Sequence, residues 1–280
     1  LIESLALTAT AVALGFAMGV TPAAASVTVG QLGKPFQDYT ADFDWIQPTV
    51  SSGNSYVAPA TGTITSWSHN AAPGPNQTLT MKLFRKVADP ATYVAVAHDG
   101  PRPLTGGTVN TFQVSIPVQA GDVLGLNTIS PTSSGAFFLA PGQTFLYRDQ
   151  PPGLADGASG AFKIGGADYG NLDARINATA AIQPSNAFAL GAVTRNRKKG
   201  TAILAVQVPN PGEISGSGKG VKALTAEAMP GTVRLRIAAR GKKRGKLTHT
   251  GRVKLRPKIT YVPTGGDPNT LSRSLKLSKR

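Results

Sequence analysis

The 280-residue chain has no cysteine. That absence removes a disulfide framework, an iron–sulfur cluster, a thiolate zinc site and a cysteine nucleophile together. Histidine is nearly as scarce: His69, His98 and His249 stand far apart and none belongs to an H-E-x-x-H pattern. No zinc-hydrolase centre is therefore encoded locally. Residues 27–185 contain no glutamate, and the only tryptophans are Trp45 and Trp67. No serine lies in G-x-S-x-G; Gly157-Ala158-Ser159-Gly160 falls one residue short of that nucleophile turn. The run Gly216-Ser217-Gly218-Lys219-Gly220 lacks the spacing of a phosphate loop and reads as a tight connection between strands. No cofactor is implied.

One long apolar run exists, Leu5 to Val20, and it carries no charge. It falls short of the about 20 residues that a membrane helix needs. It fits the apolar region of a secretory signal peptide, with small residues from Thr21 to Ala25 supplying a cleavage region before Ser26. Residues 1–26 are thus expected to be removed on export. Neither a Met nor a basic stretch precedes the run, so the expected start lies upstream of Leu1. An uncleaved anchor is the alternative, and Gly15 and Gly19 are spaced for a helix-pairing face. No later segment is apolar enough to span a bilayer. With neither an L-P-x-T-G-type sorting signal nor an apolar tail, retention at a surface would be non-covalent.

What the chain has in abundance is positive charge, +15 overall with a pI near 10.3, and it is unevenly spread. Residues 27–185 hold eight basic groups against ten aspartates, a net −2. Residues 186–280 hold twenty-one basic groups against Glu213, Glu227 and Asp267, a net +18. Such a step marks a domain boundary. The expected layout is one domain over 27–183, a linker at 184–186 and a basic domain over 187–280.

Both parts read as strands. Phe112, Val114, Ile116 and Val118 alternate with polar residues, as do Leu79, Met81 and Leu83, and Tyr93 to Ala97 is another short strand. In the basic part, Thr201 to Val208 is a strand closed by Pro209-Asn210-Pro211-Gly212. Thr232 to Ala238 turns Val233, Leu235 and Ile237 inward and Arg234 and Arg236 outward. Arg252 to Tyr261 reads as one strand with Arg252, Lys254, Arg256 and Lys258 outward and with Pro257 marking an edge or a bulge. Thirty-two Gly and 21 Pro suit short strands joined by tight turns. The fold class is all-β, with two tandem antiparallel sandwiches.

The segments SGNSYVAPATGTITSWS, LTMKLFRKVADPATYVAVAHDGPRPL and NTFQVSIPVQAGDVLGLN, with SGKGVKA and TYVPTGG in the basic part, resemble secreted proteins of high-GC actinobacteria that carry no assigned activity. The resemblance implies a jelly-roll-like sandwich followed by a basic immunoglobulin-like domain. It supplies no functional residues.

Three candidate sites follow. Asp38, Asp42 and Asp44 lie close together; they would serve as oxygen ligands for Ca²⁺, as an acid and nucleophile pair (Asp42 and Asp44) of a glycan hydrolase, or as plain solvated acids. Trp45, Tyr56, Trp67 and Tyr93 would form either a sugar-stacking platform or core; Trp67 shares parity with Thr63 and Thr65, which points it to the polar side. The strongest signal is basic. Arg195, Arg197, Lys198 and Lys199 form one cluster and Arg240, Lys242, Lys243, Arg244 and Lys246 a second, both read as loops, beside the outward rows Arg234/Arg236 and Arg252/Lys254/Arg256/Lys258. This charge would attract anionic cell-envelope polymers or polysaccharide, or would serve only as a solvated face that protects sheet edges. Sequence-specific nucleic-acid recognition is disfavoured, because only Phe188 and Tyr261 are there to stack on bases. The expected function is that of an exported, non-enzymatic, envelope-associated binding protein, its first domain presenting loops to a carbohydrate or protein. A secreted glycan hydrolase or a structural spacer are the alternatives.

Overall fold

A computed structural model describes residues 25–36, 42–129, 135–140, 145–165 and 174–280. The leader expected at 1–26 therefore lies outside the described residues except for Ala25 and Ser26, and so does Asp38. The chain is built almost wholly of strands, and every pairing within its sheets is antiparallel. The all-β expectation holds.

The first part runs β1 (Val27–Gln31), β2 (Phe43–Ile46), β3 (Gly62–Asn70), β4 (Gln77–Ala88), β5 (Thr92–Leu104), β6 (Val109–Val118) and β7 (Val123–Thr128). Short strands follow: β8 (Phe137–Leu139), β9 (Leu146–Arg148), β10 (Ser159–Ala161), β11 (Lys163–Ile164) and β12 (Ala174–Ile176), then β13 (Ala178–Pro184). They form a sheet in the order β1-β13-β3-β6 and a larger one in the order β10-β5-β4-β7-β2-β9-β11, with β8 and β12 paired separately. Ile64, Trp67, Ala180 and Ile182 of the smaller sheet share one core with Trp45, Leu79, Leu83 and Leu126 of the larger. Strand β6 keeps the expected alternation, with Phe112, Val114 and Ile116 packed on that core.

Two local features depart from simple alternation. Strand β4 is buried on both faces, so Thr80 and Lys82 are covered as well as Met81 and Leu83. In β3 the register slips between Ile64 and Ser66 against both neighbours, and against β13 it leaves Thr65 as an extra residue. A bulge of this kind reverses side-chain parity beyond it, so Trp67 and His69 point inward.

The second part runs β14 (Ala189–Asn196), β15 (Thr201–Val208), β16 (Gly212–Ser217), β17 (Leu224–Ala228) and β18 (Gly231–Ala238), then helix α1 (Lys242–Thr250), β19 (Arg252–Leu255), β20 (Lys258–Pro263), β21 (Asn269–Ser272) and β22 (Leu275–Ser278). A three-stranded sheet, β14-β15-β18, and a four-stranded sheet, β17-β16-β20-β21, cover a second core that contains Leu204, Val206, Ile214, Leu235, Ile259 and Tyr261. Lettered in chain order the two sheets read a-b-e and c′-c-f-g, an immunoglobulin-like arrangement. A separate β19–β22 pair supplements it. The two cores have no residue in common.

Three expectations need correction. Strand β13 extends through Pro184, so the residues outside strands are 185–188 rather than 184–186. The single strand expected over Arg252 to Tyr261 is two strands: Pro257 lacks an N–H to continue the ladder, and the chain passes there from the β19–β22 pair into the four-stranded sheet. The run Arg240 to Lys246 is not a loop. Lys and Arg are good helix formers, and Lys242–Thr250 is helical, anchored by buried Leu247 and closed by Gly251 in the left-handed conformation at φ 66°.

Polar contacts tie the two parts together. Asn210, 1% exposed, accepts from Thr61 N at 2.8 Å and donates through Nδ2 to Thr61 O at 2.8 Å and Ser185 O at 3.0 Å. Asp267 accepts from Ala25 N at 3.2 Å and from Gln183 Nε2 at 3.3 Å.

The inward turn of β3 also buries His69 completely, its Nδ1–H donating to Asn177 O at 2.6 Å while Nε2 lacks a partner. Burial pushes the imidazole down from 6.5 to about 4, against a weaker upward pull from the Asn177 carbonyl. The unfolded chain takes up this proton near pH 6.5, and the folded chain only near 4. Stability is therefore full above 6.5 and falls as pH drops through that window, by about 3 kcal/mol at its lower end. Urea midpoints at pH 7 and about 4.5 should diverge less in His69→Gln than in the unaltered protein; equal divergence would show that His69 does not carry the effect.

Candidate functional site

None of the four aromatic residues expected as a sugar platform reaches the surface. Trp45, Tyr56 and Trp67 are 0% exposed and Tyr93 is 3%. Trp45 packs edge-on to Phe137 at 4.7 Å and Phe145 at 5.5 Å and donates from Nε1 to Thr128 Oγ1 at 2.9 Å. Burial holds the Tyr56 phenol well above its usual range; its hydroxyl donates to Ile176 O. Tyr93 meets Phe162 edge-on at 5.4 Å. Trp67 stacks beside Phe112 and donates to Asp99 Oδ2 at 2.7 Å, while Arg102 pairs with both Asp99 oxygens and lies 5.6 Å from the Phe112 ring centre. Burial alone would raise the Asp99 carboxyl; the Arg102 and Trp67 hydrogen bonds outweigh it and hold it below its ordinary value. These rings fill the core, where their area contributes most.

The aspartate cluster divides as well. Asp44 on β2 is fully buried. Its Oδ1 accepts from Lys82 Nζ at 2.9 Å and Asn127 Nδ2 at 3.0 Å, and its Oδ2 from Leu154 N at 2.6 Å. Lys82 also donates to Leu154 O at 2.8 Å. A carboxylate enclosed by three donors is placed to pin the 150–155 segment to β2 and β4. Asp42, partly buried just before β2, is the remaining described member of the cluster. Among the described residues no group of three acidic or histidine side chains is arranged to hold a metal ion.

The basic residues behave differently. Of the twenty-one Lys and Arg in 186–280, all are exposed except Lys243, which is half-buried. The Lys and Arg ion pairs among the described residues, together with the His98–Asp156 contact, all lie in the first part, from Asp44–Lys82 to Asp149–Lys163. The second part's cations have no acidic partner there. Its acids are elsewhere: Glu213 and Glu227 sit opposite each other on the exposed face of the four-stranded sheet, and Asp267 faces Gln183 and Ala25.

Of the two rows expected from alternation, Arg234 and Arg236 stay exposed side by side on β18, the second is divided between two sheets, and the fold assembles a new group. Arg252 and Lys254 lie on β19 and Lys258 on β20, in different sheets, while these three and Arg256 all keep the outward parity expected of them. Arg195, Arg197 and Lys198 stay together at the β14–β15 turn, where Arg195 Nε donates to Lys276 O at 2.9 Å and Arg197 O accepts from Arg280 N at 3.1 Å. Beside that turn is a cleft of about 280 Å³ between helix α1 and the ends of β15 and β18. Lys199, Arg236 and Arg244 line it together with Lys222 and Lys279. The last two did not stand out in the sequence. Lys222 arrives because Val221 bridges to Ala239 and Lys222 N donates to Ala238 O at 2.9 Å. Lys279 arrives because its N–H donates to Gly251 O at 2.8 Å, just beyond the helix.

No protein-family model matches the chain, and no curated protein matches it. Among solved structures it is similar to a β-D-glucuronidase of Dictyoglomus thermophilum at 10% identity and a TM-score of 0.20; the match covers 91% of this chain and 44% of that one. A likeness this loose carries no functional argument.

Asp44 offers a direct check on its structural role. Breaking a buried ion pair by removing one partner costs about 3–5 kcal/mol. Asp44→Ala should lose stability on that scale in urea denaturation; a loss below about 1 kcal/mol would show that the Lys82 contact is not holding the strand and its covering segment.

Proposed function

We propose that the protein is an exported, non-enzymatic binding protein, built as two β domains, whose second domain attaches electrostatically to anionic polymers of a cell envelope and carries the first domain with it. One observation supports this reading above the others: a net +18 stands in solvent with no ion pairs of its own among the described residues. Such a field extends about 8–10 Å at physiological salt and concentrates polyanions near the surface. At about 1 kcal/mol per engaged cation near an anionic surface, eight contacts reach the micromolar range. Arginine forks suit phosphate oxygens, and the lysines add unoriented charge. No stacking surface accompanies the cations, since Tyr261 is buried against Phe188 at 5.8 Å, which favours a polymer recognised by charge over single-stranded nucleic acid.

The test is retention of the full chain on immobilised polyphosphate. Retention should fall linearly with the logarithm of salt concentration as counterions are released. Reversing the charges of Arg195, Arg197, Lys198 and Lys199 together with Arg240, Lys242, Lys243, Arg244 and Lys246 should abolish it. Salt-insensitive retention, or retention unchanged by the reversal, would refute the electrostatic mechanism.

A further inference from the structure

We propose that the cleft between helix α1 and the ends of β15 and β18 is a discrete seat for one tetrahedral oxyanion, the phosphate group of an anionic polymer. The proposal rests on the polyanion reading above and narrows it from a diffuse field to one site. Five cations from five separated segments, Lys199, Lys222, Arg236, Arg244 and Lys279, line one cavity that no acidic residue enters. Their backbones are fixed there. Arg236 is held in β18, paired with Ile203; Lys199 N donates to Asn196 Oδ1 at 2.9 Å; and Gly200 turns the chain at φ 63°, against Leu247. Lys222 and Lys279 are tied by the bridge and the hydrogen bonds already described.

This convergence is costly without an anion. Like charges that line one cleft repel, and no acidic residue of the second part is among its lining. Helix α1 adds to the strain, because its first turn has no acidic residue and starts with Lys242, Lys243 and Arg244 at the positive end of the macrodipole. A bound oxyanion turns the repulsion among the five cations into attraction. The chemistry fits as well: the guanidinium groups of Arg236 and Arg244 can each give two parallel hydrogen bonds to a phosphate, and the lysines add charge. At about 280 Å³ the cleft lies near the lower end of ligand pockets, about 300–1,000 Å³. That is room for a phosphate and part of the unit carrying it, not for a folded partner.

Inorganic phosphate is titrated into the full chain, with chloride adjusted to keep ionic strength constant, while the amide resonances of Gly200, Thr201 and Leu247 are followed. The expected result is saturable binding that Arg236→Gln/Arg244→Gln weakens by about tenfold or more. Arg256→Gln/Lys258→Gln removes equal charge outside the cleft and should change the affinity by no more than about twofold. A linear response reproduced by chloride, or equal weakening in both variants, overturns the proposal. If the cleft variant does not fold, the Tm of the unaltered protein decides. Phosphate at low millimolar concentration raises it along a saturating curve if the seat exists; a rise that only grows in proportion to concentration, as surface exclusion of phosphate gives to any protein, overturns it. Salt-dependent retention on polyphosphate without saturable phosphate binding removes the seat and leaves the diffuse attachment standing; loss of that retention removes both.

Discussion

A strand that buries every second residue must turn the others to water, and this constraint governs the second half of the chain. Val233, Leu235 and Ile237 can enter the core only if Arg234 and Arg236 leave it, and the same geometry turns Lys254 and Lys276 outward beside Val253, Leu275 and Leu277. The apolar effect gives about 1.5–3 kcal/mol for each large aliphatic side chain buried. The exposure of the cations is therefore enforced by the core and does not depend on their finding partners. With acids confined to Glu213, Glu227 and Asp267, the exposed positions stay positive.

The first half shows the opposite arrangement. Its charges pair off, at Asp44–Lys82, Asp122–Arg85 and Asp99–Arg102, and the first of these pairs is buried. Buried ion pairs are poor sources of net stability but strict about geometry. Lys82 and Asp44 fix where the 150–155 segment crosses the larger sheet, and Asn210 and Asp267 fix where the second half joins the first. One half uses its charges to hold itself together. The other keeps them for the outside.

Much of this was legible in the sequence wherever period-two alternation is unbroken, as in β6, β15 and β18. It was illegible where a single residue changes the register. The extra Thr65 turned Trp67 from the polar face to the core, and Pro257 divided one apparent strand between two sheets. Helix α1 was masked by Gly245 and by β-branched Thr248 and Thr250, all poor helix residues, and it stands on one buried leucine and a glycine stop. The basic cleft could be read only in pieces: Lys199, Arg236 and Arg244 stood out as charges, but nothing joined them or pointed to Lys222 and Lys279. Its five cations are spread from 199 to 279, and only the Val221–Ala239 bridge and the return of the last strand bring Lys222 and Lys279 to it.

The central claim, that the core forces an unpaired cationic surface outward, is most directly tested by lysine acetylation of the native full chain, read by mass spectrometry. Lys198, Lys199, Lys222, Lys242, Lys246, Lys254, Lys258 and Lys276 should react as fast as in the unfolded chain, while Lys82, 6% exposed and bonded to Asp44, should be protected until the protein unfolds. Protection of most lysines beyond residue 190, or ready acetylation of Lys82, would contradict the account.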